Sequence, residues 1–209
     1  MYKFINLTEK IKLSNTEKRF IKRLNKINPN VWDRSIAKIP KFKRGQEKKR
    51  GLLKDSIRNR LKKLQGEFCI YCGSLFDSAT ETHVEHIIPK NPHYNFTFEP
   101  YNLVLACQRC NMDMKRTGSY LVKNKISHIY KNCSFNIVHP YFDDLDLHIN
   151  HARIILISNT IKGQKTISEF DLNEEKLLIK RGMFLQFQGI TLTKYEQSLI
   201  NDIITRNYH

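Results

Sequence analysis

Residues 69–111 decide the fold, and they read CIYCGSLFDSATETHVEHIIPKNPHYNFTFEPYNLVLACQRCN. A Cys-x-x-Cys pair stands at each end, and the segment between the pairs carries His83, Glu85 and His86. Two such pairs are typical of a structural zinc site, in which thiolates fill all four positions of a tetrahedral metal. The expected ligands of this Zn²⁺ are Cys69, Cys72, Cys107 and Cys110.

The residues between the two cysteine pairs suit the hydrolysis of a phosphodiester. That reaction needs a base for the attacking water and a cation for the charge that develops on the phosphate. A neutral histidine suits the first task, and a carboxylate with a side-chain amide oxygen suits a Mg²⁺-like ion. On a strand, His83 and Glu85 would point to one side and His86 to the other.

The strings VEHIIPK and YNLVLACQRCN resemble the HNH endonucleases, whose core is a ββα-metal fold. The resemblance implies that His86 is the general base and that Asn102 fixes the loop that orients it. It also implies that Glu85 and Asn111 hold the catalytic divalent ion. His83 is a further candidate ligand of that ion, with packing against the backbone as the alternative.

Two positions depart from the usual pattern of this family. Glu85 stands where aspartate is commoner, which lengthens the ligand arm by one methylene. Asn111 stands where many members have histidine, and this HNN form favours Mg²⁺ or Mn²⁺ over a softer transition metal.

Other short motifs are similar to those of the small HNH nucleases of bacterial anti-phage systems, among them the Septu and retron-associated HNH proteins. They are His83-x-Glu85-His86 with Pro89-Lys90, and the downstream strings HPYFDD (139–144), KTI (165–167) and DLN (171–173). This resemblance implies an ATPase partner protein encoded in a defence operon.

The net charge of +16 comes entirely from the N-terminal third. Residues 1–65 contain 21 Lys/Arg and 5 Asp/Glu, whereas residues 66–209 contain 15 of each. Such a segment attracts phosphates, although an acidic membrane or protein surface would attract it too, and a solvated basic helix is the plainest alternative. The candidate nucleic-acid contacts are Lys54, Arg58 and Lys62 in this segment, and Lys115 and Arg116 after Asn111.

The hydropathy pattern predicts an α+β protein with three parts: a basic helical segment (1–65), a core (66–120) and a mainly helical accessory α/β extension (121–209). The resemblance implies that the core is the HNH nuclease with its zinc site. Helices are expected from Leu7 to Ile27 and from Leu52 to Leu64, because apolar residues recur there at helical spacing. The core should contain strands over 82–88 and 103–105, followed by a helix that starts near Cys110.

The extension should begin with a strand over 153–158 and a turn over 161–164. Asn173 is a plausible N-cap of the next helix. A final helix should start near Thr193 and carry Tyr195, Leu199 and Ile203 on one face.

Cysteine usage and hydropathy indicate the compartment. Four of the five cysteines are paired at metal-binding spacing, and the odd Cys133 argues against an oxidising environment. The run Ile154–Ile157 is far too short to span a bilayer. We therefore expect a cytoplasmic protein with no membrane partner.

These observations lead to one main hypothesis and two alternatives. The main hypothesis is a metal-dependent HNH endonuclease that hydrolyses DNA and serves as the effector of an anti-phage defence system. The first alternative is a non-catalytic, zinc-stabilised nucleic-acid-binding protein in which Glu85 and His86 are structural. The second alternative is an HNH nuclease that acts on RNA, such as tRNA.

Overall fold

The computed structural model describes residues 2–26, 31–33, 45–76, 82–115, 120, 122 and 127–208, with side chains to residue 206. The helices in this part of the chain are α1 (Asn15–Asn25), α2 (Gln46–Gln65), α3 (Leu145–His148), α4 (Ile161–Glu169), α5 (Glu175–Phe187) and α6 (Lys194–Tyr208). The strands are β1 (Thr82–His86), β2 (Leu103–Cys107), β3 (Ile149–Asn150) and β4 (Ile157–Ser158). The fold is α+β, as the hydropathy pattern predicts.

An antiparallel pair, β1 with β2, forms the centre of the molecule, in a register that runs from Thr82↔Cys107 to His86↔Leu103. Every residue of β2 is buried, which its sequence LVLAC allows. The second edge of β2 is covered by Gln65 at the end of α2. Its amide nitrogen donates to the Leu105 carbonyl (2.8 Å), and its amide oxygen accepts from the Leu105 N–H (2.9 Å). The side chain thus satisfies backbone groups that a third strand would otherwise satisfy.

The helix that we expected near Cys110 is a single π-helical turn, Arg109–Met114. The Lys115 N–H donates to the Cys110 carbonyl at 3.3 Å, which closes the wider i→i+5 ring. Such bulges are frequent at functional sites because they change the direction of the side chains that follow. Here the turn carries Cys110 and Asn111 and directs Lys115 inward.

The first helix begins at Asn15, so the expectation that it starts at Leu7 is wrong. Ser14 and Glu17 form a capping box, which gives the chain a strong local start signal at this point. The residues before it are extended, and Tyr2 bridges Ser74 next to the first cysteine pair. Glu17 also accepts from Arg60 at 2.9 Å, which ties α1 to α2.

Helix α2 buries Leu53, Ile57 and Leu61, at the i, i+4, i+8 spacing of one helix face. Leu52 was expected on this face, but it is exposed. The buried stripe lies against β2, and Gly66 ends the helix just before the first cysteine pair.

The extension contains more helix than expected. Residues 161–164 open α4 instead of forming a turn, because the Thr160 hydroxyl accepts from the Gly163 N–H at 3.1 Å and caps the helix. Gly163 is required there, since a Cβ atom would collide with the carbonyl of His148. Asn173 is not an N-cap: Glu174 precedes α5, and the Asn173 amide pairs with the backbone of Leu156.

Strand β4 contains only Ile157–Ser158, so the expected strand over 153–158 is largely wrong. The predicted position of the last helix is confirmed, and only part of the face that carries Tyr195, Leu199 and Ile203 is buried. Helix α6 follows Thr193, whose hydroxyl accepts from the Glu196 N–H, and Ile203 is buried, but Tyr195 is 67% exposed.

A continuous hydrophobic core runs through all three parts, from Leu7 to Leu177. The boundaries at residues 65 and 120 stay predictions. Among the described residues, no helix has the length and apolar character needed to cross a membrane.

Candidate active site and metal centres

The four cysteines of the two Cys-x-x-Cys pairs meet in one buried cluster, with all four Sγ atoms within 4.8 Å of one another. The Sγ atoms of Cys72 and Cys107 are 3.8 Å apart. A tetrahedron with Zn–S bonds of about 2.3 Å has sulfur–sulfur edges of about 3.8 Å, so the cluster fits a tetrahedral metal. The four residues are therefore placed to hold one tetrahedral metal ion.

The first pair is shaped by a knuckle at Gly73. The Gly73 N–H donates to the Cys69 carbonyl at 2.9 Å, and the Cys69 N–H donates to the Ser74 carbonyl at 2.8 Å. Gly73 has φ +71°, a left-handed conformation that favours glycine. This tight turn brings Cys69 and Cys72 to the same side.

The thiols of the cluster influence each other strongly. Hydrogen bonds from neighbouring thiols hold the pKa of Cys72 well below its usual range, whereas burial raises the pKa of Cys69. Arg109 donates to the Cys110 sulfur at 3.8 Å and to the Phe170 carbonyl at 2.9 Å. Its guanidinium also pairs with Glu174 at 2.7 Å, so a single side chain joins the cysteine cluster to the C-terminal extension.

His86, at the end of β1, is 3% exposed and its ring is fixed on two sides. Its Nε2 lies 3.0 Å from the Thr97 carbonyl oxygen, which can only accept, so Nε2 carries the proton. The lone pair is then on Nδ1, which makes no hydrogen bond within the described part of the chain. The edge of the Trp32 ring packs on the imidazole, with centroids 4.7 Å apart.

Burial lowers the pKa of His86 well below its usual value, and the ammonium groups of three lysines lower it further. These are Lys90, Lys115 and Lys54. The imidazole is therefore neutral at pH 7, the state in which it can accept a proton. The same three lysines make the surroundings of His86 attractive to a phosphate.

Asn102 is completely buried and fastens the loop that follows β1. Its Oδ1 accepts from the Ile88 N–H at 2.6 Å, and its Nδ2 donates to the carbonyls of Ile88 (3.1 Å) and Phe96 (3.0 Å). The loop is thereby closed around residues 88–96, next to the Thr97 carbonyl that holds His86.

Glu85 points to the opposite side of β1 from His86 and pairs with Lys115 in the interior. The Lys115 ammonium also donates to the carbonyl oxygen of His86. Burial raises the pKa of Glu85, although the charge of Lys115 opposes this effect. Asn111 is half-buried on the π-helical turn four residues before Lys115, and His83 is half-buried two residues before Glu85.

The Glu85 carboxylate and the His86 carbonyl are oxygen donors of the kind that a hard cation prefers. In the structure both oxygens already accept from one positively charged group. That group is the Lys115 ammonium, so a divalent ion bound by Glu85 requires Lys115 to move away. This condition was not foreseen from the sequence.

The family of HNH endonucleases matches residues 69–116, the segment that contains the four cysteines, His86 and Asn102. Residues 69–116 are an HNH endonuclease domain. Septu protein PtuB of Bacillus thuringiensis is 26% identical over 133 residues, which cover 63% of this chain and 47% of that protein. The HNH protein of retron Vc95 from Vibrio cholerae serotype O1 biovar El Tor is 30% identical over 133 residues, 62% of this chain and 63% of that protein.

A second Septu protein PtuB, from Bacillus mycoides (strain KBAB4), is 24% identical over 148 residues, 61% of this chain and 50% of that protein. The chain thus spans about half to two thirds of the length of these three relatives. No solved structure matches the chain significantly.

The basic residues expected to contact nucleic acid occupy different positions around the HNH domain. Arg58 and Lys62 are exposed on α2. Lys54 is half-buried, because its ammonium donates to the Trp32 carbonyl at 3.3 Å and lies 5.1 Å from the Trp32 ring centroid. Lys115 is internal, and Arg116 lies outside the described residues.

Two residues at the HNH site were not among the expected site residues. Trp32 is buried, and its ring packs against His86. Lys90 lies near His86 and pairs with Asp33 at 2.9 Å. Its position directly after Pro89, at the end of the strand that carries His86, could have indicated that Lys90 lies near the site. No sequence signal connects Trp32 with His86, since 54 positions separate them.

Proposed function

We propose that the chain is a metal-dependent endonuclease that hydrolyses DNA phosphodiester bonds, with His86 as the general base. The observation that carries the proposal is the state of His86: a neutral imidazole with its proton on Nε2, its Nδ1 available, and three lysines around it. A metal-binding fold alone would not require this arrangement.

The proposed reaction is a direct attack of water on phosphorus. His86 Nδ1 takes a proton from the water as the new oxygen–phosphorus bond forms and the bond to the leaving sugar oxygen breaks. Lys54 and Lys90 hold the phosphate oxygens by their charge. Thr97 and Asn102 keep the ring in orientation, since Thr97 bonds Nε2 and Asn102 closes the loop that carries Thr97.

A divalent ion, Mg²⁺ or Mn²⁺, bound by Glu85 and Asn111 would stabilise the negative charge on the phosphate and on the leaving oxygen. His83 is a further proposed ligand of this ion. For Glu85 to act as a ligand, Lys115 must release it, and Lys115 would then be free to contact the phosphate. We propose Zn²⁺ for the four-cysteine cluster, where it stabilises the fold and leaves no position for a substrate.

In this proposal the site is closed in the conformation of the structure. Trp32 covers His86 and Lys115 occupies the Glu85 carboxylate, so both side chains must move before a substrate can react. We infer that an activating event opens the site. This event fits an effector nuclease of an anti-phage defence system, and the chain is similar to two proteins named Septu PtuB. The activator that we propose is an ATPase partner in the cytoplasm.

Two observations favour the alternative of a non-catalytic binding protein: His86 is buried, and Glu85 is neutralised inside the protein. Incubation of the pure protein with supercoiled plasmid and Mg²⁺ separates the two functions, with the proposed ATPase partner added in a parallel reaction. Metal-dependent nicking in either reaction supports the endonuclease, and intact plasmid in both supports the binding protein.

The substrate itself is tested by offering DNA and RNA side by side. We expect supercoiled plasmid to be nicked under conditions in which total tRNA stays intact. Degradation of the tRNA with intact plasmid would assign the nuclease to RNA.

A further inference from the structure

A groove of about 630 Å³ lies on the N-terminal side of the HNH domain. One wall is formed by residues 10–13 and the other by α1, and Phe98, Glu99 and Pro100 form the floor. Five lysines line the two walls: Lys10, Lys12, Lys18, Lys22 and Lys26.

The charge of this groove is almost wholly positive. Lys18, Lys22 and Lys26 follow one another at intervals of four along α1, so they lie on one helix face about 6 Å apart. All five lysines are exposed, and none forms an ion pair with a residue that the structure describes. The acidic lining residue, Glu99, accepts a hydrogen bond from the Tyr101 N–H. The acidic residue of α1, Glu17, is bound to Arg60 of α2.

The lower part of the groove is apolar. Ile11 and Ile21 are buried at the base of the walls, and the buried Phe98 and half-buried Pro100 close the floor. A row of ammonium groups above an apolar base suits one strand of nucleic acid, whose phosphates are charged and whose sugars and bases offer apolar faces.

The floor of the groove is continuous with the loop that holds His86. The ring centroid of Phe98 is 5.5 Å from that of Trp32, and Trp32 packs on His86. Thr97, one residue before Phe98, bonds His86 Nε2. A strand lying in the groove would therefore pass beside the residues that cover and orient the base.

We propose that this groove binds one strand of the nucleic-acid substrate through its phosphates and leads that strand to His86. The proposal rests on the proposed endonuclease function and assigns it a substrate surface distinct from Arg58 and Lys62 of α2. The lysines act without reading sequence, since contacts to phosphates position a strand but carry no base information.

The test uses the full chain with His86→Ala, so that the probe stays intact. A fluorescein-labelled single-stranded oligodeoxynucleotide of mixed sequence is titrated with this protein at several salt concentrations. A triple variant, Lys18→Gln, Lys22→Gln and Lys26→Gln, is compared with a matched control that removes the same charge from exposed sites of the extension, namely Lys176→Gln, Lys180→Gln and Lys194→Gln.

We expect the groove variant to bind more weakly and the slope of log K against log salt to fall by about 2, because three phosphate contacts on a single strand are lost. The control should keep the parent affinity and slope. Equal affinity and slope in the two triple variants would overturn the proposal. If the groove instead binds an acidic protein, the groove variant should bind the oligonucleotide as the control does, and this result would also overturn the proposal.

Failure of the groove and failure of the nuclease give different results. If protein with His86 intact nicks plasmid while the groove variant binds the oligonucleotide normally, the groove proposal is wrong and the nuclease proposal stands. If the groove variant loses binding but no protein nicks plasmid with or without its partner, the groove stands and the nuclease is wrong.

Discussion

The ammonium group of Lys115 lies against the carboxylate of Glu85, and both side chains are at least 95% buried. An ionised carboxylate in a protein interior needs a compensating positive charge. Lys115 supplies this charge in the structure, and a divalent ion supplies it in the proposed enzyme. Glu85 therefore has two alternative partners, and the exchange between them can be measured.

Replacement of Lys115 by methionine removes the charge but keeps the length of the side chain. In buffer without free divalent cations, we expect the Lys115→Met variant to lose about 3–5 kcal/mol of unfolding free energy, because Glu85 stays buried without a partner. Mg²⁺ or Mn²⁺ should restore part of this loss and stabilise the variant more than the wild type. Urea denaturation with and without the cation measures both effects.

Lys90→Met is the matched control for Lys115→Met. Lys90 pairs with Asp33 at 2.9 Å near the surface, so its loss should cost less than about 1 kcal/mol and should create no response to Mg²⁺. If Lys115→Met is as stable as Lys90→Met and equally indifferent to the cation, Glu85 is not the ligand that we propose.

The cysteine cluster predicts one zinc ion per chain. Cys107→Ser should lose zinc and the cooperative unfolding transition, because the binding free energy of a structural zinc is folding free energy. Cys133→Ser is the control, since Cys133 lies outside the cluster beside Ser127 and Ile129, and should keep its zinc. Elemental analysis together with thermal unfolding decides this, and full zinc content in Cys107→Ser would argue against the four-cysteine site.

His139 predicts a dependence of stability on pH. Burial lowers its pKa to about 3, with Asp143 opposing and Lys162 adding to the effect, whereas the unfolded chain has a pKa near 6.5. Between these values the unfolded chain binds a proton that the folded chain does not bind. The unfolding free energy should therefore fall as the pH decreases from 6.5, by about 1.4 kcal/mol per pH unit from this group.

His139→Phe removes this titration while the rest of the molecule still titrates. The difference in unfolding free energy between wild type and variant should change with pH between 6.5 and 4. A constant difference over this interval would show that His139 does not stay neutral in the folded protein.

The sequence predicted the cysteine cluster and the central strand pair, which depend on local spacing. The two Cys-x-x-Cys pairs and the His-Glu-His strand lie within 43 consecutive residues, and a metal or a strand imposes fixed spacings on such ligands. The strand pair follows from the same segment, because β1 and β2 are its apolar stretches. The helix limits in the extension were less predictable, since a single Thr160 hydroxyl turns an apparent turn into α4.

The contacts that cover His86 and Glu85 could not be predicted, because they join distant parts of the chain. Trp32 reaches His86 across 54 positions, and Gln65 reaches Leu105 across 40. Lys115 was expected to face a phosphate, but the π-helical turn directs it to Glu85 instead. Helical periodicity at 110–115 gives no indication of a π-bulge. The one residue that the bulge inserts changes the direction of every side chain that follows, so a face predicted from α-helical spacing is displaced.

The central claim is that His86 removes the proton from the attacking water. Its most direct test is single-turnover nicking of supercoiled plasmid by His86→Ala, compared with wild type and with His128→Ala, an exposed histidine away from the site. The account predicts that His86→Ala loses nicking while keeping its zinc and its oligonucleotide affinity, and that His128→Ala nicks at the wild-type rate. Nicking by His86→Ala at the wild-type rate would contradict it.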